Sequence, residues 1–540
     1  MIRDFERLTG RAFDVLVIGG GIYGLAIAYD AAQRGLATAL VERSDFGSGA
    51  SFNHLRTIHG GLRYLQTLDI RRARESVNER RTLARVAPHL VRPMRFVLPL
   101  SGSLRAGKTA MRMGFALDRL IAFDRNRGLP DSLRLPAGCV LSRRASLNRY
   151  PMLRHGQSTG AAVWYDYVTI EADRLTFSFA LAADEHGAVL ANHVEAIALL
   201  SEAGRIRGAR VRDAFTGRDG DAIAGLTVNA TGAACDRLLA PLGLATGTPL
   251  LKAMNLVTNR EAGEEAFGGR ASSGRHLVLI PWHGRMVLGT WESTWPVQAD
   301  AAAEVSDADV EAFIAEGNQA FPSLELGEAD VTLVHRGVVP AASVAPGRVT
   351  LEGRARIHDH TRQGAEGLVS VTGVKYTTAR AVAEATVDAA VRKLGRTRVP
   401  CRTALTLLPG SRSLDQARIS EGSPDGSLSS DALSHLAAAY GSRCQQVVSL
   451  AQEDAAWRRP VSDGSAVIGA ELVWAARHEM ALTLADAVIR RTSLGAVGDP
   501  GDAAVEGAAA LVGRELNWSD VRRRSEVAEV HRFYTRRAIG

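Results

Sequence analysis

The segment 13-FDVLVIGGGIYGLAIAYDAAQRGLATALVE-42 is the stretch on which the fold turns. Residues 13–18 are apolar apart from Asp14, as expected of a strand buried on both faces. Three glycines follow, and then Ile22, Leu25, Ala26 and Tyr29 recur at helical spacing up to Gly35, a natural helix stop. The run 36–42 reads as a second strand. Gly19, Gly21 and Gly24 form G-x-G-x-x-G between strand and helix. The first permits the turn, the second lets a pyrophosphate approach the backbone, and the third lets helix and strand pack. The pyrophosphate then lies at the positive end of the helix. Glu42 ends the second strand, where a carboxylate accepts both ribose hydroxyls and repels the 2′-phosphate of NADP. The segment predicts a dinucleotide site.

Working outward, 540 residues are too many for one ordinary core, so at least two domains are expected. A hydrophobic content of 46% argues for folded cores. Cys139, Cys235, Cys401 and Cys444 show no metal-type spacing and no disulfide framework, and no metal is expected. Nothing before residue 13 resembles a signal core, and no stretch approaches the ~20 apolar residues of a membrane span. The expectation is a cytoplasmic protein, or one lying on the inner face of the cell membrane. The net charge of +7 is carried almost wholly by arginine, since the only lysines are Lys108, Lys252, Lys375 and Lys393. No basic run is interleaved with aromatics, so no nucleic-acid partner is expected.

Further along, 188–200, 205–213, 276–282 and 285–292 read as strands, which predicts a mixed sheet inserted into the nucleotide-binding part. At 228–236, "VNATGAACD" places Thr231 and Gly232 after a strand. At 369–384, "VSVTGVKYTTARAVAE" offers another strand, glycine and helix start, with Gly373, Val374, Lys375 and Tyr376 at the turn. A chain that returns so late to its cofactor favours FAD over NAD, because the far end of FAD commonly rests on a second helix N-terminus. After residue 396 a Pro/Gly/Ser-rich linker is expected. Helices are then expected at 431–441, in one run over 470–491, and at 500–518. The division is therefore a FAD-binding oxidoreductase domain over 1–395, with an interleaved substrate-binding part, and an α-helical domain over 405–540.

The stretch 58-IHGGLRYLQTLDIRRARESVNERR-81 sets a glycine pair, a fixed cation and a phenol just before an amphipathic helix. Together with 85-RVAPHLVRPMRFVLP-99, "VNATG", "IPW" (280–282), "LGTWE" (288–292), "TGVKYTTAR" (372–380) and "LLPGS", it resembles the respiratory-type, FAD-dependent glycerol-3-phosphate dehydrogenases along essentially the whole chain. The resemblance implies a Rossmann-like FAD domain of the DAO/glutathione-reductase type with an inserted mixed-sheet substrate domain and a C-terminal helical domain, an α/β fold. It implies that Arg63 and Tyr64 face the substrate, with Lys375, His59 and Asn255 as further catalytic candidates. His59 is read more readily as a loop-holder than as a base. FAD would be held by Gly19, Gly21, Gly24, Glu42, Arg43, Ser51, Gly60, Gly61, Thr231, Gly232, Gly373, Val374, Lys375 and Tyr376. Gly60 and Gly61 would let the backbone pass close to the flavin.

The sequence also departs from the family. Val339 stands where the family's G-V-R-P supplies an arginine to the substrate phosphate, and Asn255 replaces a histidine. Arg56 and Arg336 are the residues that could rebuild the contact, although Arg336 on a strand would face away from Val339. The expected activity is hydride transfer from a hydroxyl carbon to flavin N5: glycerol 3-phosphate to dihydroxyacetone phosphate, or a related polyol or phosphate. The alternatives are a relative acting on another hydroxy compound or an amine, and a flavin-bearing redox partner without turnover. The expected partners are an anionic small-molecule substrate and a quinone or oxygen as acceptor, with a homodimer as candidate assembly. Residues 103–128 read equally as a basic amphipathic helix on an anionic leaflet or as a core-facing helix with solvated arginines.

Overall fold

In the computed structural model of the chain, described for residues 1–102, 107–155, 158–295, 305–345, 348–412 and 428–535, the strand Ala12–Ile18 lies inside an eight-stranded sheet. It pairs in parallel with Thr38–Val41 on one side and with Asp219–Asn229 on the other. Leu368–Thr372 and Val189–Ala191 extend the parallel run at its two ends. Val15, Leu16 and Val17 are fully buried, so both faces of the strand are covered. The helix Ile22–Gln33 packs against Ala172–Glu185 and Ala379–Lys393, the latter being the helix of the late return. The expected strand over 188–200 is split in two at His193, whose φ of 52° turns the chain between Val189–Ala191 and Val194–Glu202.

A ten-stranded, mostly antiparallel sheet stands beside the first. Leu250–Glu261 pairs with both Arg285–Thr294 and Val331–Ala345. The helix Asp307–Ala320 covers one face, packing Val310 and Phe313 against Met254, Leu256 and Leu288. The other face meets the loop after the glycine turn: Asn255 bonds the Asn53 carbonyl, and a side chain at Gly337 would touch Ala50. The inserted sheet is thereby held against the cofactor side of the molecule.

Beyond residue 428 the chain is helical, and its apolar side chains form two clusters, one of which takes in Phe52 of the main body. The single helix expected over 470–491 is a correction. Gly469–His478 stops, Met480 takes a φ of 52°, and a π-helical turn follows at Asp486–Arg491. The break lets Glu479 turn inward, where Arg174 donates twice to its carboxylate (2.5 and 3.0 Å) and the Trp474 indole once (3.0 Å). Most of the expected linker, 413–427, lies outside the described residues, as do 103–106 of the amphipathic stretch.

The remainder of that stretch is a helix, Lys108–Ile121, and Phe115 is its buried residue. Met113, Leu120 and, just past the helix, Phe123 are 69%, 74% and 78% exposed, with Leu68 and Ile70 exposed as well. Phe115 and Met111 pack inward on Leu100 and Ala162, so the helix carries apolar side chains on both its core-facing and its outward side. No helix among the described residues is long and apolar enough to cross a membrane.

Arg380, in the first turn of Ala379–Lys393, donates to both oxygens of Glu79 (2.8 and 2.6 Å) on the helix Ile70–Val86, and both residues are buried. Removing one partner strands the other charge. Arg380→Met is expected to lower the unfolding free energy by about 3–5 kcal/mol, measured by urea denaturation; a loss within error would show that Glu79 escapes to solvent.

Candidate active site

The strand Ala12–Ile18 delivers the glycine turn to the sheet's C-terminal edge. Gly19 has a φ of +108°, and a Cβ there would stand 2.6 Å from the Ala230 carbonyl oxygen, so this turn and the Thr231–Gly232 turn are in mutual contact. A Cβ at Gly24 would meet the Gly19 carbonyl oxygen at 1.9 Å. Gly21 caps the helix Ile22–Gln33 without a side-chain bond, and the first helical amide, Ile22, donates to Ser51 Oγ (2.9 Å). Glu42 accepts from the amides of Gly20 (2.7 Å) and Ser44 (2.9 Å); burial pushes its pKa up against those bonds. These residues fit a dinucleotide: a helix N-terminus open to an anion, with a carboxylate beside the turn.

At the other end, Leu368–Thr372 runs through Gly373–Thr378 into Ala379–Lys393, and Thr378 gives that helix no side-chain cap. The His59 amide donates to Thr377 Oγ1 (3.3 Å), joining the "IHGG" loop to this second helix start. Tyr23 donates from its hydroxyl to the Lys375 carbonyl (3.1 Å). An uncapped helix N-terminus far along the chain is what the flavin end of FAD requires, so the residues at both ends fit the cofactor.

Between the two ends, Lys375 Nζ lies 4.0 Å from the centre of the Tyr64 ring, and the Arg72 guanidinium lies 4.6 Å from the same ring. Burial pulls Lys375 down to about 8; the charge of Arg72 acts with it, and Glu75 and Asp69 act against it. Lys252 and Lys393 are paired with Asp309 and Asp359, whereas Lys375 has no carboxylate partner among the described residues. Burial likewise raises the Tyr64 phenol and brings His59 down to about 4, leaving its imidazole neutral near pH 7. Arg63 is exposed at the mouth, and its charge is felt at His59, Tyr64, His276 and Glu292.

Other expected residues stand further off. Arg43 is exposed, and Tyr376 turns its ring onto His54 (centroids 4.3 Å apart) and its hydroxyl to Thr176 (2.9 Å). Asn255 is 2% exposed and ties Asn53 to Thr290, whose hydroxyl donates to it (2.9 Å). Val339 packs with Leu251, Ala341 and Val374, so the strand position without its arginine borders the Lys375 turn. Neither proposed substitute reaches it. Arg56 is fully buried against Trp282 (4.2 Å), His335 (3.3 Å) and Asp173 (3.9 Å). Arg336 turns to the Val334 carbonyl and the Phe533 ring, on the opposite side of the strand from Val339, as alternation predicted.

The glycine pair also has a reason that sequence reasoning missed. A Cβ on Gly60 would stand 2.2 Å from the Arg80 guanidinium, and one on Gly61 would stand 2.6 Å from the Tyr64 ring. The space a side chain would take is already filled by the protein itself. Asp166 holds this arrangement, accepting from the Gly60 amide (2.7 Å), Arg80 and the Trp164 indole (3.1 Å). The arginine-rich pattern of residues 70–81 gave no means of telling which arginine turns inward.

The family model described as FAD dependent oxidoreductase matches residues 14–389, and that of the C-terminal domain of alpha-glycerophosphate oxidase matches 401–523. The chain is 29% identical to glycerol-3-phosphate dehydrogenase of Synechocystis sp., over 100% of this chain and 99% of that protein. It is 32% identical to the mitochondrial glycerol-3-phosphate dehydrogenase of Mus musculus, over 96% of this chain and 73% of that protein. The glycerol-3-phosphate dehydrogenase of Bacillus halodurans, solved in complex with FAD, superposes with a TM-score of 0.76 at 25% identity, covering 99% and 97% of the two chains.

Gly24→Ala places a methyl on a backbone oxygen that cannot withdraw without opening the turn. The purified variant is expected to lack flavin, read as flavin absorbance per protein; full flavin content would show that the turn yields.

Proposed function

The chain belongs to the FAD-dependent glycerol-3-phosphate dehydrogenase family, and on that premise we propose that it oxidises the secondary hydroxyl carbon of sn-glycerol 3-phosphate to dihydroxyacetone phosphate and passes the electrons to a membrane quinone. The observation that carries this reading is the convergence of Lys375, Tyr64 and Arg63 beside the second helix start. Bound FAD supplies the hydride acceptor. The chain's own groups hold and orient the substrate: Arg63 and Lys375 draw an anionic substrate to the mouth, and Tyr64 donates a hydrogen bond to it. Neutral His59, its ring 6.3 Å from that of Tyr64, is the candidate acceptor for the hydroxyl proton. Asn255 acts by positioning the loop from Asn53 onward. The exposed row of Met113, Leu120 and Phe123, flanked by Lys108, Arg112 and Arg119, supports a helix lying in an anionic leaflet on the inner membrane face. The apolar clusters of the C-terminal helices, one of them built wholly from residues beyond 427 and the other joined to the main body through Phe52, support a division into 1–395 and 405–540.

Val339, packed among apolar side chains at the Lys375 turn, favours a second reading, in which the substrate is a different hydroxy compound or an amine. Anaerobic mixing with glycerol 3-phosphate separates the two. Rapid bleaching of the flavin is expected; no bleaching, with dithionite still reducing the bound flavin, would sink the first reading and leave the second.

Lys375 is cationic below its pKa of about 8, so kcat/KM for an anionic substrate is expected to fall as pH rises through 8. In Lys375→Met that alkaline limb should vanish and KM should rise by ~30-fold or more, the cost of deserting a buried charge partner. An unchanged limb would assign it elsewhere. Leu120→Asp combined with Phe123→Asp is expected to abolish binding to anionic vesicles in a sedimentation assay while the flavin content is kept; undiminished binding would remove this helix from the interface.

A further inference from the structure

Asp45, three residues beyond Glu42, is fully buried and receives more cationic hydrogen bonds than any carboxylate at the cofactor site. Arg491 donates to both its oxygens (2.6 and 2.7 Å) and Arg490 to one (2.8 Å), while the Asn192 amide adds a fourth bond (2.9 Å). Both arginines come from the π-helical turn Asp486–Arg491 of the C-terminal bundle, more than 440 residues away in sequence. The turn is itself fixed: Asp486 accepts from Arg490 (2.5 Å) and from the amides of Leu482 and Thr483, and it bonds the His193 ring (2.8 Å). His193 in turn donates its amide to the Ser44 carbonyl (2.7 Å).

The clamped loop is the one that shapes the glycine turn. The Gly47 amide donates to the Gly20 carbonyl (2.9 Å), and a Cβ on Gly20 would strike both Glu42 and Phe46. Phe46 packs on Phe177, and the Arg491 guanidinium covers the same Phe177 ring at 4.1 Å. Asp45, His193 and Asp486 bring potential metal ligands within 4.8 Å of one another, but two guanidiniums already neutralise the carboxylates. The cluster is therefore an ion-pair lock and not a metal site.

We propose that the C-terminal bundle is a cofactor clamp. Arg490 and Arg491 act as positioning residues that, through Asp45, hold the 42–47 loop in the shape that retains the adenosine half of FAD. Bundle docking and FAD binding are then linked, and by reciprocity each strengthens the other by the same factor. π-helical turns are rare and are found frequently at functional sites. The inference rests on the assignment of Glu42 to the ribose.

The test uses holoenzyme and follows FAD release by the recovery of free-flavin fluorescence after dilution. Arg491→Gln is expected to speed release by about 5- to 150-fold, the usual span of coupling between two sites. Arg34→Gln, which breaks the equally buried Arg34–Asp30 pair at the end of the helix Ile22–Gln33 away from the glycine turn, should change it no more than its shift in Tm accounts for. In the reverse direction, hydrogen exchange over 482–492 should be faster in the apoprotein. Wild-type release from Arg491→Gln, or release that tracks Tm alike in both variants, overturns the clamp. Should Arg491→Gln fail to fold, Arg490→Gln gives the same reading with Arg491 left in place. Glu42→Ala separates the two failures: fast release there with wild-type release from Arg491→Gln refutes only the clamp, and slow release from both refutes the ribose assignment.

Discussion

Asp166 lies on the strand Gly160–Thr169 of the inserted sheet, and its carboxylate takes hydrogen bonds from Arg80, from the Gly60 amide and from the Trp164 indole at once. That junction joins three parts of the chain that no local pattern relates: the inserted sheet, the helix Ile70–Val86, and the loop carrying His59 to Tyr64. The position of Tyr64 relative to Lys375 follows from it, because Gly60 and Gly61 fix where the short helical turn Leu62–Thr67 begins. Arg80 is only 5% exposed. Without Asp166 its charge would be stranded, so the loop has no cheap alternative conformation.

The same solution recurs wherever large parts of the molecule meet. Arg380 joins the helix of the late return to Glu79, Arg174 joins the main body to Glu479 of the bundle, and Arg491 joins the bundle to Asp45. Guanidinium cannot shed its proton on burial, so each of these residues must find a carboxylate with matching geometry. Such pairs add little net stability compared with apolar packing, but a misdocked arrangement leaves several charges unpaired together. In a chain this rich in arginine, the docking of parts is specified by what wrong docking would strand.

How far the sequence disclosed this depends on the range of each interaction. The glycine turn, its strand and its helix were legible because strand period, helix period and the demand for φ > 0 all act within thirty residues. The late return of the chain was legible from composition alone, as strand, glycine and helix start. The docking contacts were not: nothing in residues 70–81 marks Arg80, and nothing in 470–491 marks the break at Glu479, which exists because Arg174, some 300 residues earlier, needs a partner. The same limit applied to Arg56, whose direction depends on Trp282, whereas strand alternation already turned Arg336 away from Val339. The close packing at the glycine pair was hidden as well, because the groups filling the space come from a neighbouring helix and ring.

Lys375 shows what is gained by departing from arginine at one place. An arginine in place of Lys375 would stay charged at any working pH and would demand a carboxylate, as those at the docking contacts do. Lysine tolerates the half-buried, unpaired position because it can lose its proton, and burial has brought that loss to about 8. The residues that fix the structure are therefore those that cannot titrate, and the residue at the centre of the site is one that can. On the reading proposed above, that contrast accounts for one of only four lysines standing where arginine, the abundant cation of this chain, would hold an anion at any pH.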